Sequence, residues 1–134
     1  MERLRRRADF LRAAKGRKWT TPSLMLQMVA RGEDGEPRIG FTASKRIGGA
    51  VERNRARRRL REAAREILPQ RARRGHDYVI VARRECLTRP YDGLKKDLAL
   101  ALDKLHRMDR RGARNGRTAG SAGGNHESDR DGKQ

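Results

Sequence analysis

Apolar residues recur along the chain at two different periods, and the switches between them mark out the elements. Leu4, Ala8 and Leu11 stand at i, i+4 and i+7, one face of a short first helix, and Gly16 follows as a stop. LMLQMVA at 24–30 and RIGFTAS at 38–44 are strand-like; the intervening RGEDGEP contains a DG pair that favours a turn, so the two segments are expected to form a hairpin. Ala56, Leu60, Ala63, Ala64 and Ile67 fall within about 100° of arc at 100° per residue, which predicts a helix with that face inward. DYVIVAR at 77–83, bounded by Gly75 and by charged residues, predicts another strand. Pro90 opens a last helix, slightly weakened by Gly93, in which Leu94, Leu98, Ala101, Leu102 and Leu105 form one stripe. Beyond it, Met108 is the only large apolar side chain. Residues 106–134 are therefore expected to be a disordered, basic, Gly-rich tail on a domain spanning 1–105. The pattern is that of a small single-domain α+β fold.

Charge changes this picture more than composition does. With 134 residues of which 34% are hydrophobic, the core must be small, and a formal net charge of +18 makes the compact chain repel itself unless it lies against a polyanion. No apolar run approaches the roughly 18–20 residues of a spanning helix, and residues 1–20 lack the apolar middle of a signal peptide, so the chain is expected in the cytoplasm. Cys86 is alone, which rules out an internal disulfide and a thiolate metal cluster.

The basic residues concentrate in KRIGGAVERNRARRRLR at 45–61, at the start of the middle helix. Arg57, Arg61 and Arg65 form one i, i+4 row, and Asn54, Arg55, Arg58 and Arg59 fill most of the remaining outer arc. Arg53 alone has an azimuth on the apolar face, so it must project past the end of the core or lie along it. Cations at a helix N-terminus oppose the helix dipole, and adjacent like charges add repulsion. A bound phosphate reverses that cost, because forked guanidinium donors, glycine-exposed backbone and free first-turn N–H groups suit the same anion. The segment therefore reads as a phosphate-backbone site; with no GxxxxGK[ST] present it is not a Walker loop. A solvated helix face is the bland alternative, and a ribosomal protein or general RNA chaperone is the rival binding function. A membrane-surface helix is disfavoured because the face opposite the arginines is chiefly Ala.

SKRIGGAVERNRARRRLREAAR resembles the signature of the bacterial ribonuclease P protein family: a basic pair, Lys45 and Arg46; Gly48; Ala50 and Val51; then Arg53, Asn54 and Arg55 opening a basic helix. The order helix, strands, basic helix, strand, helix matches that family across residues 3–105, as do the Asp9-Phe10 pair and the strand DYVIVAR. The resemblance implies an α-β sandwich with a left-handed βαβ crossover. It implies a basic helix that contacts the catalytic RNA through Lys45, Arg46, Arg53, Asn54, Arg55, Arg57, Arg58 and Arg61. A cleft beside the first helix would receive the 5′ leader of precursor tRNA. The RNA would cut with bound Mg²⁺, and no obligatory protein partner is evident. In keeping with that division of labour, the residues suggest no catalytic or metal site. Glu33, Asp34 and Glu36 sit in a turn, and His76, His106 and His126 are widely separated. Leader binding calls for stacking groups, for which Phe10 and Trp19 are the candidates. Two departures stand out: Ala14 where a second aromatic is common, and Gly49 where Asn is common.

Overall fold

The computed structural model describes residues 1–115, with side chains to residue 109. Its elements are β1 (Glu2–Arg3), α1 (Arg7–Ala14), β2 (Arg17–Thr20), β3 (Leu24–Ala30), β4 (Arg38–Thr42), α2 (Ala50–Arg71), β5 (His76–Ala82), a 3₁₀ turn (Arg84–Leu87) and α3 (Tyr91–Asn115). One five-stranded sheet runs in the order β1-β4-β5-β3-β2. Helices α2 and α3 cover one face over the main core, and α1 covers part of the other above Leu4, Ala13 and Val79.

The expected hairpin does not form. β5 lies between β3 and β4, antiparallel to the first and parallel to the second. Tyr78, Val79 and Ile80 are buried on both faces of the sheet, so β5 is an uninterrupted apolar run that must take a central position. The RGEDGEP connection crosses the end of β5 instead of closing a two-strand turn. There Arg31 N donates to the Gly75 carbonyl at 2.8 Å, Gly75 N donates to the Gly35 carbonyl at 2.8 Å, and Arg74 pairs with Asp34 at 3.1 Å. α2 joins the parallel neighbours β4 and β5, forming a βαβ unit.

The first helix turns a different face inward from the one its apolar spacing suggests. Leu4 precedes the helix and is held in the sheet layer by its N–H, which donates to the Ile39 carbonyl at 2.8 Å. Ala8 is exposed and Leu11 is 51% exposed, while Asp9 and Ala13 face inward. The cause is a buried ionic centre. Asp77, 0% exposed, receives paired hydrogen bonds from Arg38 (both 2.8 Å) and one from Arg31 at 3.0 Å; Arg12 reaches it at 3.5 Å and Asp9 at 2.7 Å. Burial pushes the Asp77 carboxyl up, but the guanidinium hydrogen bonds outweigh it and hold the group below its ordinary value. This network ties α1 to the ends of β3, β4 and β5.

The other two helices follow their stripes closely. Ala56, Leu60, Ala63 and Ala64 are buried under α2, with Leu68 completing the face where Ile67 was expected; Ile67 packs at its edge. All five expected residues of α3 are fully buried. However, α3 continues ten residues past the expected boundary at 105. His106 Nε2 meets the Tyr78 hydroxyl at 2.8 Å, and Asp109 pairs with Arg73 at 3.3 Å. The rest of the expected tail, residues 116–134, lies outside the described residues.

Candidate nucleic-acid interface

The site begins where β4 ends. Residues 44–48 turn tightly, with Ile47 N donating to the Ser44 carbonyl at 3.0 Å and Gly48 N to the Lys45 carbonyl at 3.1 Å. Ile47 is buried in the core and anchors the turn, leaving Lys45 and Arg46 exposed between Ser44 and Ile47. Gly48 has φ 145°, a conformation L side chains rarely adopt, so the turn into α2 requires glycine there. Gly49 is extended and acts as the N-cap; its N–H donates to the Glu52 carboxylate at 3.0 Å. Glu52 therefore occupies one of the donors that the sequence left open to a phosphate, and its negative charge stabilises the helix start.

The arginines from Arg53 to Arg61 on α2 occupy four different settings. Arg55 and Arg58 are exposed and make no ion pair or hydrogen bond among the described residues. Arg53 is half-buried and folds back so that its Nε approaches the Gly49 carbonyl at 3.4 Å, which resolves its unusual azimuth by projection past the end of the core. Arg57 donates to Asn54 Oδ1 at 2.6 Å, fixing both side chains on one surface. Deeper in, Arg59 donates to the Arg89 carbonyl, and the Arg61 guanidinium lies 5.7 Å from the centre of the Phe41 ring. Arg61 is therefore partly a packing residue, tied to β4 as well as facing outward.

Beside this surface, between α1 and the uncovered part of the sheet, lies a cleft of about 660 Å³. Its floor is Met25, Gln27, Val79 and Val81; Phe10 and Ala14 supply the α1 wall, and Arg46, Arg83 and Arg84 stand along the opening. Phe10 can pack closely on the sheet because Gly40 is beneath it, where an added Cβ would sit 2.5 Å from the ring. Trp19, by contrast, is not brought to the cleft. Strand alternation turns Lys18 and Thr20 to the α1 side and Trp19 to the helix side, opposite Leu26 and below the Lys104 ammonium at 5.7 Å. Sequence reasoning passed over Gln27 and Arg84. Arg84 had a visible signal, since it follows directly on a strand end, whereas Gln27 looked like an ordinary polar interruption in a strand.

Nucleophilic or metal chemistry finds little support in these side chains. Burial pushes the Cys86 thiol up to about 11, and among the described residues no three His, Cys, Asp or Glu side chains group as metal ligands. No helix among them is long and apolar enough to cross a membrane.

Residues 1–106 match the family model for ribonuclease P. The chain belongs to the ribonuclease P protein family. It is 53% identical over 106 residues to the ribonuclease P protein component of Ruegeria pomeroyi, covering 77% of this chain and 85% of that one. Against the component from Caulobacter vibrioides the identity is 50% over 123 residues, covering 90% and 83%. Among solved structures, the Thermotoga maritima ribonuclease P protein superposes with a TM-score of 0.63 at 27% identity, covering 80% of this chain and 97% of that one. The Staphylococcus aureus protein shares the fold, with a TM-score of 0.65 at 24% identity over 78% and 95%. As a ribonuclease P protein component, the chain is a subunit of an endoribonuclease ribonucleoprotein.

Proposed function

We propose that this ribonuclease P protein grips the catalytic RNA with the start of α2 and holds the single-stranded 5′ leader of precursor tRNA in the cleft beside α1, in the cytoplasm. The observation that carries the reading is a shared loop: Ser44, Arg46 and Ile47, which lead into α2, also line the partly apolar cleft, while Arg55 and Arg58 on α2 are exposed and unpaired among the described residues. Lys45, Arg46, Arg53, Asn54, Arg55, Arg57, Arg58 and Arg61 form the RNA-facing set. Exposed members act mainly through phosphate neutralisation and counterion release. Arg57 and Asn54, already bonded to each other, present a preorganised pair that needs less ordering on contact. Phe10 offers a ring face to a leader base, and with Ala14 in place of a second aromatic a single stacking platform serves the cleft.

Residues 1–115 are the RNA-binding unit, and residues 116–134 are dispensable to it. Mg²⁺ is expected to be held by the RNA and substrate. The protein's own residues do not fit a resident Mg²⁺: Glu85 is the one carboxylate among the cleft's lining residues, and the described residues bring no three His, Cys, Asp or Glu side chains together as ligands. Reconstitution with the cognate RNA tests the proposal. The protein should stimulate 5′ cleavage of precursor tRNA at low Mg²⁺ and show no cleavage without RNA; correct 5′ cleavage by RNA-free protein would overturn it.

A further inference from the structure

One buried carboxylate outside the cleft holds the short turn that joins β5 to α3. Asp97 is 5% exposed. Its Oδ2 accepts a hydrogen bond from the Ser23 hydroxyl at 2.6 Å, its Oδ1 accepts one from Arg89 Nη2 at 3.0 Å, and Arg89 Nε lies 2.7 Å from Oδ2. Ser23 is fully buried just before β3, and its carbonyl accepts the Arg83 N–H at 3.0 Å. Arg89 N donates to the Glu85 carbonyl at 2.9 Å, and the Arg89 carbonyl accepts from Arg59 of α2. Asp97 thus ties α3 to the start of β3 and to the far end of the 3₁₀ turn. Gly93 clears the way for this contact: an added Cβ would lie 2.9 Å from Arg89 Nε and 3.0 Å from its Cγ, so a residue that weakens the helix lets Arg89 cross α3 to Asp97 one turn on.

We propose that Asp97 is a positioning residue for leader binding: through Arg89 it sets the 3₁₀ turn so that Arg84 stands at the cleft opening and its guanidinium meets a leader phosphate. This rests on the cleft being the leader site. Desolvation offsets much of the attraction within a buried ion pair, so stability alone is a poor account of the Asp97–Arg89 contact. What the contact fixes is the end of the turn. Arg84 lines the cleft, is exposed and makes no ion pair among the described residues, so the backbone of the turn sets where its guanidinium stands. Arg83 depends less on the clamp, because its own N–H is bonded to Ser23 at the strand end. Cys86, buried against α2, pins the middle of the turn, which leaves the Arg89 end as the part that Asp97 must hold.

The test measures, for reconstituted holoenzymes, the ratio of affinities for precursor and mature tRNA. Arg84→Ala should lower that ratio about threefold, the order of one exposed charge pair, and Asp97→Asn should lower it by a similar factor while mature tRNA binds unchanged. In the Arg84→Ala background, Asp97→Asn should change the ratio no further, because a residue that acts through Arg84 then has nothing left to position. A purely structural role would lower the melting temperature and leave the ratio of a folded variant where it was. Gly93→Ala, which pushes Arg89 aside while Ser23 keeps its bond to Asp97, serves where circular dichroism shows that Asp97→Asn does not fold, and it should lower the ratio too. An unchanged ratio in Arg84→Ala or in the folded clamp variant, or an equal further loss in the Arg84→Ala background, overturns the role of Asp97. Equal affinity of the wild-type holoenzyme for precursor and mature tRNA would instead overturn the leader reading of the cleft.

Discussion

Removing Arg55 and Arg58 together should weaken RNA binding without weakening the protein. Both side chains are exposed and contact nothing among the described residues, and both point away from the buried Ala56 and Leu60. The double Arg55→Ala, Arg58→Ala variant should therefore keep its Tm, or gain slightly, because two members of a like-charged row disappear at a benefit of roughly a few tenths of a kcal/mol. In binding, each RNA phosphate that is no longer neutralised changes the log-affinity against log-salt slope by about 0.7 to 0.9, so two such phosphates change it by about 1.4 to 1.8. Over a rise from about 50 to 200 mM salt, the variant should lose roughly tenfold less affinity than the wild type. Arg61→Ala is the contrast. Its guanidinium rests on Phe41, so that variant should lose about 0.5–1 kcal/mol of stability in addition to affinity. The assay is holoenzyme assembly titrated at several salt concentrations, with thermal melts of the protein alone. A folded double variant with an unchanged salt slope would refute the phosphate assignment of these two residues.

Three further outcomes follow from particular side chains. Asp77→Ala should cost about 3 kcal/mol in urea unfolding, toward the low end for breaking a buried pair because Arg12 and Arg38 can turn to water. Since the folded Asp77 carboxyl is held below its ordinary 3.8, its contribution is present above that value and declines as pH falls through the lower folded value. The acid limb of the stability–pH curve should therefore be shallower in Asp77→Asn than in the wild type. Gly40→Ala should displace Phe10 from the sheet and lower leader-dependent affinity several-fold while the protein remains folded, as judged by circular dichroism together with precursor binding. Truncation after Asn115 should leave the melting temperature unchanged, whereas truncation after Leu105 should lower it. The shorter chain lacks the hydrogen bond between His106 and Tyr78 and the ion pair between Asp109 and Arg73, worth about 1–3 kcal/mol together.

The helices that pack against the main core were legible because their apolar stripes are long and regular, as Leu94 through Leu105 illustrate. α1 was misread because its inward face is polar. Asp9 is buried only through Arg12 and Arg38, the latter almost thirty residues away, and no local periodicity encodes that partnership. The pairing of β3 with β5 was also hidden. The DG turn signal at Asp34-Gly35 is real, but the turn rests on Gly75 rather than closing a hairpin. At the site, the Lys45–Arg58 segment was visible in charge and glycine spacing. Trp19 was assigned by residue type alone, and strand parity sends it to the opposite face. Gln27 needed the sheet register before its orientation into a cleft meant anything.

The most direct measurement is the affinity of the reconstituted holoenzyme for a series of tRNAs whose leaders lengthen one nucleotide at a time from the mature 5′ end, with wild-type protein and with Phe10→Ala. Affinity is expected to rise sharply once the leader is long enough to enter the cleft, and the rise should shrink with Phe10→Ala while mature tRNA binds both holoenzymes equally. A flat dependence on leader length with the wild-type protein, or a rise untouched by Phe10→Ala in a folded subunit, would contradict the assignment of this cleft to the leader.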